Sequence, residues 1–409
     1  METTINNRNT ALFNKVPEVT FFFWIIKVLC TTVGETFADF LNVNLNFGLT
    51  GTSVVMGILL LLALFFQMRT KKYVPVVYWI TVVFISVFGT LVTDILTDKL
   101  GVPLETSTIV FSVLLLLSFA LWYVKEKTLS IHSIYTMRRE FFYWLTVLFT
   151  FALGTAAGDL MAESLGLGYL VTGIIVAVII VIVIIARQLK LNAVLSFWII
   201  YIMTRPLGAS IGDLLSQPTK YGGLGLGATL TSVLFLAGIF AIILYFSFTK
   251  KDISERAVTE TADDTGRGLI WQTVITVAVF VIVGITSYYW RHASLQKEVP
   301  AAAATSVKGA TSKPSSETNK PLGDLLIFTT IAADTRQMVT ANKMDAAKTR
   351  VADLEHEWDQ AQGRLKPMNG AKWTEVDDAI DKVLRQLRGV NPTQQGSAAA
   401  LDALLQVLR

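Results

Sequence analysis

The chain has 409 residues, of which 53% are hydrophobic and only 16% charged, with a formal net charge of +4. A soluble domain carries roughly 25% charged residues, so this composition, with a mean hydropathy of +0.54, excludes a wholly soluble protein. No phosphate loop, nucleophile–base pair or nucleic-acid patch is visible, and neither an enzyme nor a nucleic-acid partner is expected.

Crossing the hydrocarbon core takes about 20 apolar residues, and nine such spans are expected, at 19–43, 49–68, 73–97, 104–124, 140–164, 168–187, 193–216, 226–249 and 269–290. The first eighteen residues lack the pattern of a cleaved signal peptide, so the first span is expected to be retained. The single Cys30 lies inside it and permits no intramolecular disulfide. Basic residues then alternate from loop to loop. One set of connections holds Arg8 and Lys15; Arg69, Lys71 and Lys72; Lys125, Lys127, Arg138 and Arg139; Arg187 and Lys190; Lys250, Lys251, Arg256 and Arg267. The four short turns between paired spans hold only Lys99 and Lys220. The positive-inside rule assigns the first set and the N-terminus to the cytoplasm, and an odd ninth span delivers the remainder to the outer side.

The expected division is a transmembrane domain over 1–250, a cytoplasmic loop at 251–268, the ninth span, a flexible Ala/Ser/Thr/Lys/Pro-rich linker at 291–320 and an extracytoplasmic helical bundle at 321–409. In that bundle Met344, Ala347, Val351, Leu354, Trp358, Ala361 and Leu365 recur at helical spacing. Thr374 is the expected cap of a second helix with Val376, Ile380, Val383 and Leu387 inward, flanked by helices near 323–341 and 394–408. His356, in "DLEHEWD", reads as solvated surface rather than a metal site.

Four spans repeat one pattern. Trp24, Trp79, Trp144 and Trp198 each precede by ten residues a glycine, namely Gly34, Gly89, Gly154 and Gly208; five residues further stand Asp39, Asp94, Asp159 and Asp213. The even spans open with Gly48, Gly101, Gly166 and Gly223 in their turns and Thr52, Thr108, Thr172 and Thr229 beyond. Each unit crosses twice, so all four share one orientation and predict a pseudo-symmetric ring of parallel hairpins about the membrane normal.

On a helix the Trp and Asp lie about 22 Å apart and on roughly one face. That puts the tryptophans near the cytoplasmic interface and the aspartates in the outer third. Belt anchoring and packing account for the former, close helix approach for the glycines. For the aspartates two readings compete. They cap the turn, or they face a shared interior and hold a cation, as buried carboxylates in membranes do. One turn inward stand Glu35, Thr90 and Thr155, with Ala209 in repeat four, so three repeats offer a second oxygen tier. Two basic residues also lie within spans. Lys27 is placed to snorkel to the cytoplasmic face; Arg205, before Pro206, is too deep for that and reads as an ion-pair partner or a permeation barrier.

The Trp, Gly and Asp positions over roughly 19–250 resemble a bacterial membrane family of four tandem two-span repeats, domain of unknown function 347. The resemblance implies a bacterial inner-membrane location and supplies no activity. From the residues, the first expectation is a transporter or channel for a hard cation such as Mn2+ or Mg2+, because the intramembrane donors are oxygens without a His, Met or Cys cluster. Protonatable carboxylates allow proton coupling. The bilayer and a small cation are then the partners, with no resident cofactor. The alternative is a non-transporting receptor or assembly protein whose outer bundle binds a partner and whose aspartates are turn caps.

Overall fold

Long apolar runs become helices because, away from water, only an intrachain ladder satisfies the backbone. The computed structural model describes residues 14–250, 252, 266–298, 322–389 and 391–409. Eight helices cover the repeats: α1 (Phe21–Asp39), α2 (Gly48–Arg69), α3 (Pro75–Asp94), α4 (Leu104–Glu126), α5 (Met137–Asp159), α6 (Gly168–Gln188), α7 (Ala193–Ser216) and α8 (Gly227–Thr249). Then follow α9 (Gly266–Glu298) and the shorter α10 (Leu326–Thr340), α11 (Met344–Leu365), α12 (Gly370–Arg388) and α13 (Gln394–Val407). Among the described residues nine helices, α1 to α9, are long and apolar enough to cross a membrane. The protein is an all-α polytopic membrane protein.

The odd helices form a closed inner ring in which α1 and α5 each contact α3 and α7. One rule of the repeat builds it. Each repeat glycine receives the residue that precedes the next repeat's glycine by three. A Cβ at Gly34 would lie 2.8 Å from Ser86 Cβ, one at Gly89 2.8 Å from Phe151 Cβ, and one at Gly154 2.5 Å from Arg205 Cβ. At Gly208 it would lie 2.6 Å from Thr31 Cβ, so the fourth contact returns to the first helix. Small residues let these backbones approach closely, and hydroxyls stitch the same seams. Thr32 Oγ1 donates to the Gly208 carbonyl at 3.0 Å, and Thr93 Oγ1 to the Ala152 carbonyl at 3.2 Å.

The even helices depart from the simple hairpin. Each leans on the inner helix of the following repeat: α2 on α3, α4 on α5, α6 on α7, and α8 back on α1. Ser232 of α8 and Thr36 of α1 hydrogen-bond at 2.8 Å across that last seam. The outward faces of α2, α4, α6 and α8 carry exposed Leu, Ile, Val and Phe, as lipid contact requires. The ninth helix stands outside the ring with none of its apolar window buried. It runs through Glu298 rather than ending at 290, so the start of the expected linker is helical; 253–265 and 299–321 lie outside the described residues.

Helices α10 to α13 enclose their own core, in which Trp358 stacks on Trp373 at 3.8 Å between ring centroids. Val351, Leu354, Leu365, Val376, Val383 and Leu387 are buried there. The second of the expected helices begins at Gly370, where Asn369 Oδ1 accepts from the Lys372 N–H, so Thr374 is not its cap. This bundle is seated on the ring at the aspartate end. Val43 belongs to the bundle core, Lys366 Nζ donates to the Thr97 carbonyl at 3.2 Å, and Lys220 pairs with Asp353 at 3.1 Å.

Candidate functional site: an acidic cavity between ring and bundle

Three repeat aspartates close their α-helices. Immediately after Asp39, Asp94 and Asp159 the chain widens into one π-helical turn, shown by i→i−5 bonds from Leu45 to Phe40, Leu100 to Ile95 and Leu165 to Leu160 at 3.0, 2.9 and 2.9 Å. Asn46, Gly101 and Gly166 then take a left-handed conformation at φ 57, 65 and 60°, which asparagine and glycine tolerate. Asn46, not Gly48, is thus the first repeat's equivalent of Gly101. The fourth repeat has no π turn; α7 continues to Ser216 and a longer loop follows. None of the three aspartates that begin π turns makes a side-chain cap bond there.

Instead Asp39, Asp94, Asp159 and Asp213 all line one cavity of about 890 Å³ between the ring and the bundle. Among the described residues none of their side chains makes a hydrogen bond or ion pair. Glu35, Asp98 and Glu163 join them from the ring; Asp353, Glu355, Asp359, Asp377 and Asp381 come from the bundle. Against these twelve carboxylates the lining offers Lys220, Lys348 and Arg388 as fixed cations. Asp98 and Glu163 escaped the sequence reading, although both stand four residues after a repeat aspartate, where a helix returns to the same face. The bundle carboxylates gave no such signal, because their partners are more than a hundred residues away. Among the described residues no group of three or more His, Cys, Asp or Glu side chains gathers as a metal-ion site. The aspartates share a space without meeting as ligands.

The inner oxygen tier is occupied by the protein itself. Arg205, 1% exposed, donates to Glu35 Oε2 at 2.6 Å, to Thr90 Oγ1 and to the Thr31 carbonyl at 3.4 Å. Thr155 donates to the Phe151 carbonyl at 3.1 Å, and neither Thr90 nor Thr155 lines the cavity. The floor is therefore an Arg205–Glu35 ion pair. Deeper in the ring Lys27 is 1% exposed. It does not snorkel; its ammonium sits 3.6 Å from the Phe151 ring centroid and 4.1 Å from that of Tyr201. Since α1 and α5 face each other across the ring, Lys27 spans its centre and is held by cation–π contact.

The tryptophans build the opposite half. Trp79, Trp144 and Trp198 are buried and Trp24 packs against the same aromatic core. Trp79 Nε1 donates to Tyr73 Oη at 3.1 Å and Trp198 Nε1 to the Leu129 carbonyl at 3.0 Å. They pack and lock helices rather than face the acidic cavity.

Four repeats in a closed ring of membrane helices define a class: tandem-repeat polytopic membrane proteins. The family described as Repeat of Unknown Function (DUF347) matches residues 22–73, 77–128, 142–189 and 196–252, and the chain belongs to it. No curated protein and no solved structure matches the chain.

The roof carries its own pH dependence. Burial pushes the Asp359 carboxyl well up, reinforced by Glu163, Glu355, Asp377 and Asp98. Burial likewise raises Asp377, with Asp98 and Asp381 adding to it and the Trp358 N–H and Lys366 opposing. A carboxyl that holds its proton more tightly when the bundle is seated stabilises the seat at low pH, and that contribution fades as pH rises through its raised pKa. Spin labels at positions 99 and 360, both exposed, are expected to give a narrow distance distribution at pH 5 and a broader one at pH 8 without multivalent cations. Asp359→Asn with Asp377→Asn is expected to remove the difference; broadening at the acid end instead would reverse the sign.

Proposed function

We propose that the protein transports a cation across the membrane, taken up from the carboxylate-lined cavity. The observation that carries this reading is that the four repeat aspartates open into one water-accessible space with no protein partner of their own. Four unpaired carboxylates at a low-dielectric boundary require neutralisation by a cation or by protons, which also supports exchange against protons. The Arg205–Glu35 pair and the Lys27 side chain that fills the ring centre beneath the cavity support a carrier closed on that side rather than an open pore. The oxygen donors suit a hard ion such as Mn2+ or Mg2+; with no close ligand group, it would be held through its water shell, as Mg2+ commonly is. The alternative, with aspartates as turn caps and the bundle as a receptor, is disfavoured by their missing cap bonds. Loop charge and the family resemblance support a bacterial inner membrane, with the N-terminus inside and the bundle outside.

Flux into liposomes holding the purified protein tests this across Mn2+, Mg2+, Ca2+, Na+ and K+. Uptake of at least one ion is expected. Each of Asp39→Asn, Asp94→Asn, Asp159→Asn and Asp213→Asn, verified as folded, is expected to lower it by about tenfold, the effect of about 1.4 kcal/mol. If every folded variant matches the parent, the aspartates do not carry transport.

A further inference from the structure

The cavity is larger than a single hydrated ion needs. At about 30 Å³ per water, a divalent ion with six waters fills roughly 200 Å³, whereas the space is about 890 Å³, within the range of small-molecule sites. Its carboxylates are dispersed from Glu35 at the floor to Asp359 and Asp377 at the roof, with no cluster among the described residues fit for a metal. Apolar side chains line it as well, Val43, Leu49, Leu104, Leu226, Ile380 and Leu384 among them. One further group points to a ligand. Gln362 of α11, only 7% exposed, lines the cavity, and its side chain makes no hydrogen bond among the described residues. Its amide faces the open space of the cavity, where the oxygen is available to an arriving N–H donor.

We propose that the substrate class of this cavity is a linear organic polycation, methylene segments joining two or more ammonium groups. This rests on the reading of the cavity as the intake of a cation carrier. One ammonium is held among Asp39, Asp94, Asp159 and Asp213, and another beneath the bundle by Asp359, Asp377 and the Gln362 oxygen, with the methylenes against the apolar side chains of the lining. Charge-assisted N–H bonds to separate carboxylates need no convergent ligand set, which matches the dispersion seen. A compact ion neutralises one level of the cavity and leaves the other charged.

Spermidine and hexaamminecobalt(III) carry the same charge of about +3 at neutral pH, as an extended chain and as a compact ion, so they separate shape from charge. With the purified full-length protein, calorimetric titration is expected to show saturable spermidine binding at least about tenfold tighter than that of hexaamminecobalt(III). Asp94→Asn in the ring and Gln362→Leu in the roof, each with unchanged helical content, are expected to weaken spermidine and leave the cobalt complex less affected. Equal or tighter binding of the compact ion overturns the proposal. The liposomes used for metal ions supply the second readout. Uptake of labelled spermidine supports the assignment, with or without metal uptake. Uptake of metal ions without spermidine overturns it and leaves cation transport standing. Uptake of neither overturns transport itself.

Discussion

Arg205→Met is expected to cost about 3–5 kcal/mol of stability, the usual penalty for breaking a buried ion pair by removing one partner. Glu35 would be left at the cavity floor without the guanidinium 2.6 Å away, and Thr90 and the Thr31 carbonyl would lose their donor. Combining it with Glu35→Gln is expected to recover most of that loss, since removing both charges removes the desolvation cost of each. Denaturant unfolding of the parent, both single variants and the double variant in one detergent measures this cycle. If the double variant is as unstable as the sum of the singles, the pair is not an energetic unit. The same four proteins report on permeation. Loss of the fixed positive charge is expected to let ions leak through the ring in liposomes, whereas an unchanged leak would move the barrier to Lys27.

Gly208→Ala is expected to destabilise the ring by about 3 kcal/mol, at the upper end of ordinary overpacking. Its new methyl would meet Thr31 and come within 3.0 Å of the Thr32 backbone nitrogen, so α7 must withdraw from α1. That movement also strains the bonds from Thr31 Oγ1 to the Thr204 carbonyl at 3.1 Å and from Thr32 Oγ1 to the Gly208 carbonyl. Gly284→Ala, in α9, meets nothing within 4 Å and is expected to leave stability unchanged. A comparable melting temperature for the two variants would show that the α1–α7 seam yields more easily than its packing implies.

The repeat could be read from one strand of text because each of its positions answers to a constraint that recurs in space. Glycine is needed wherever an inner helix meets the next, an aromatic wherever that helix joins the packed half, and a carboxylate wherever it opens on the cavity. Nine spans followed from the length of the apolar runs, and the inward faces of α11 and α12 from periodicity. What stayed hidden depends on partners remote in sequence. Arg205 and Glu35 are separated by 170 positions, so spacing could suggest a buried pair and not its partner. The π turns, too, left no composition trace. Asn46 does the work of a glycine, so matching turns by residue type selected Gly48 instead. The forward lean of each even helix is a property of packing between repeats, and a pattern within one repeat says nothing of it. Lys27 obeys neither snorkelling nor pairing because two aromatic faces receive it, and those come from α5 and α7.

Because α8 rests on α1, the last helix of the ring completes the first. During synthesis α1 therefore waits, with the hydroxyls of Thr31, Thr32 and Thr36 turned toward places that α7 and α8 will later fill. Until some two hundred further residues have been inserted, the ring is an open arc with one unfinished flank at each end. The interval invites lipid, the insertion machinery or a neighbouring chain to stand in for the missing helices. It also means that a chain ending after the third repeat leaves both flanks uncovered, and two such arcs would have complementary edges to offer one another.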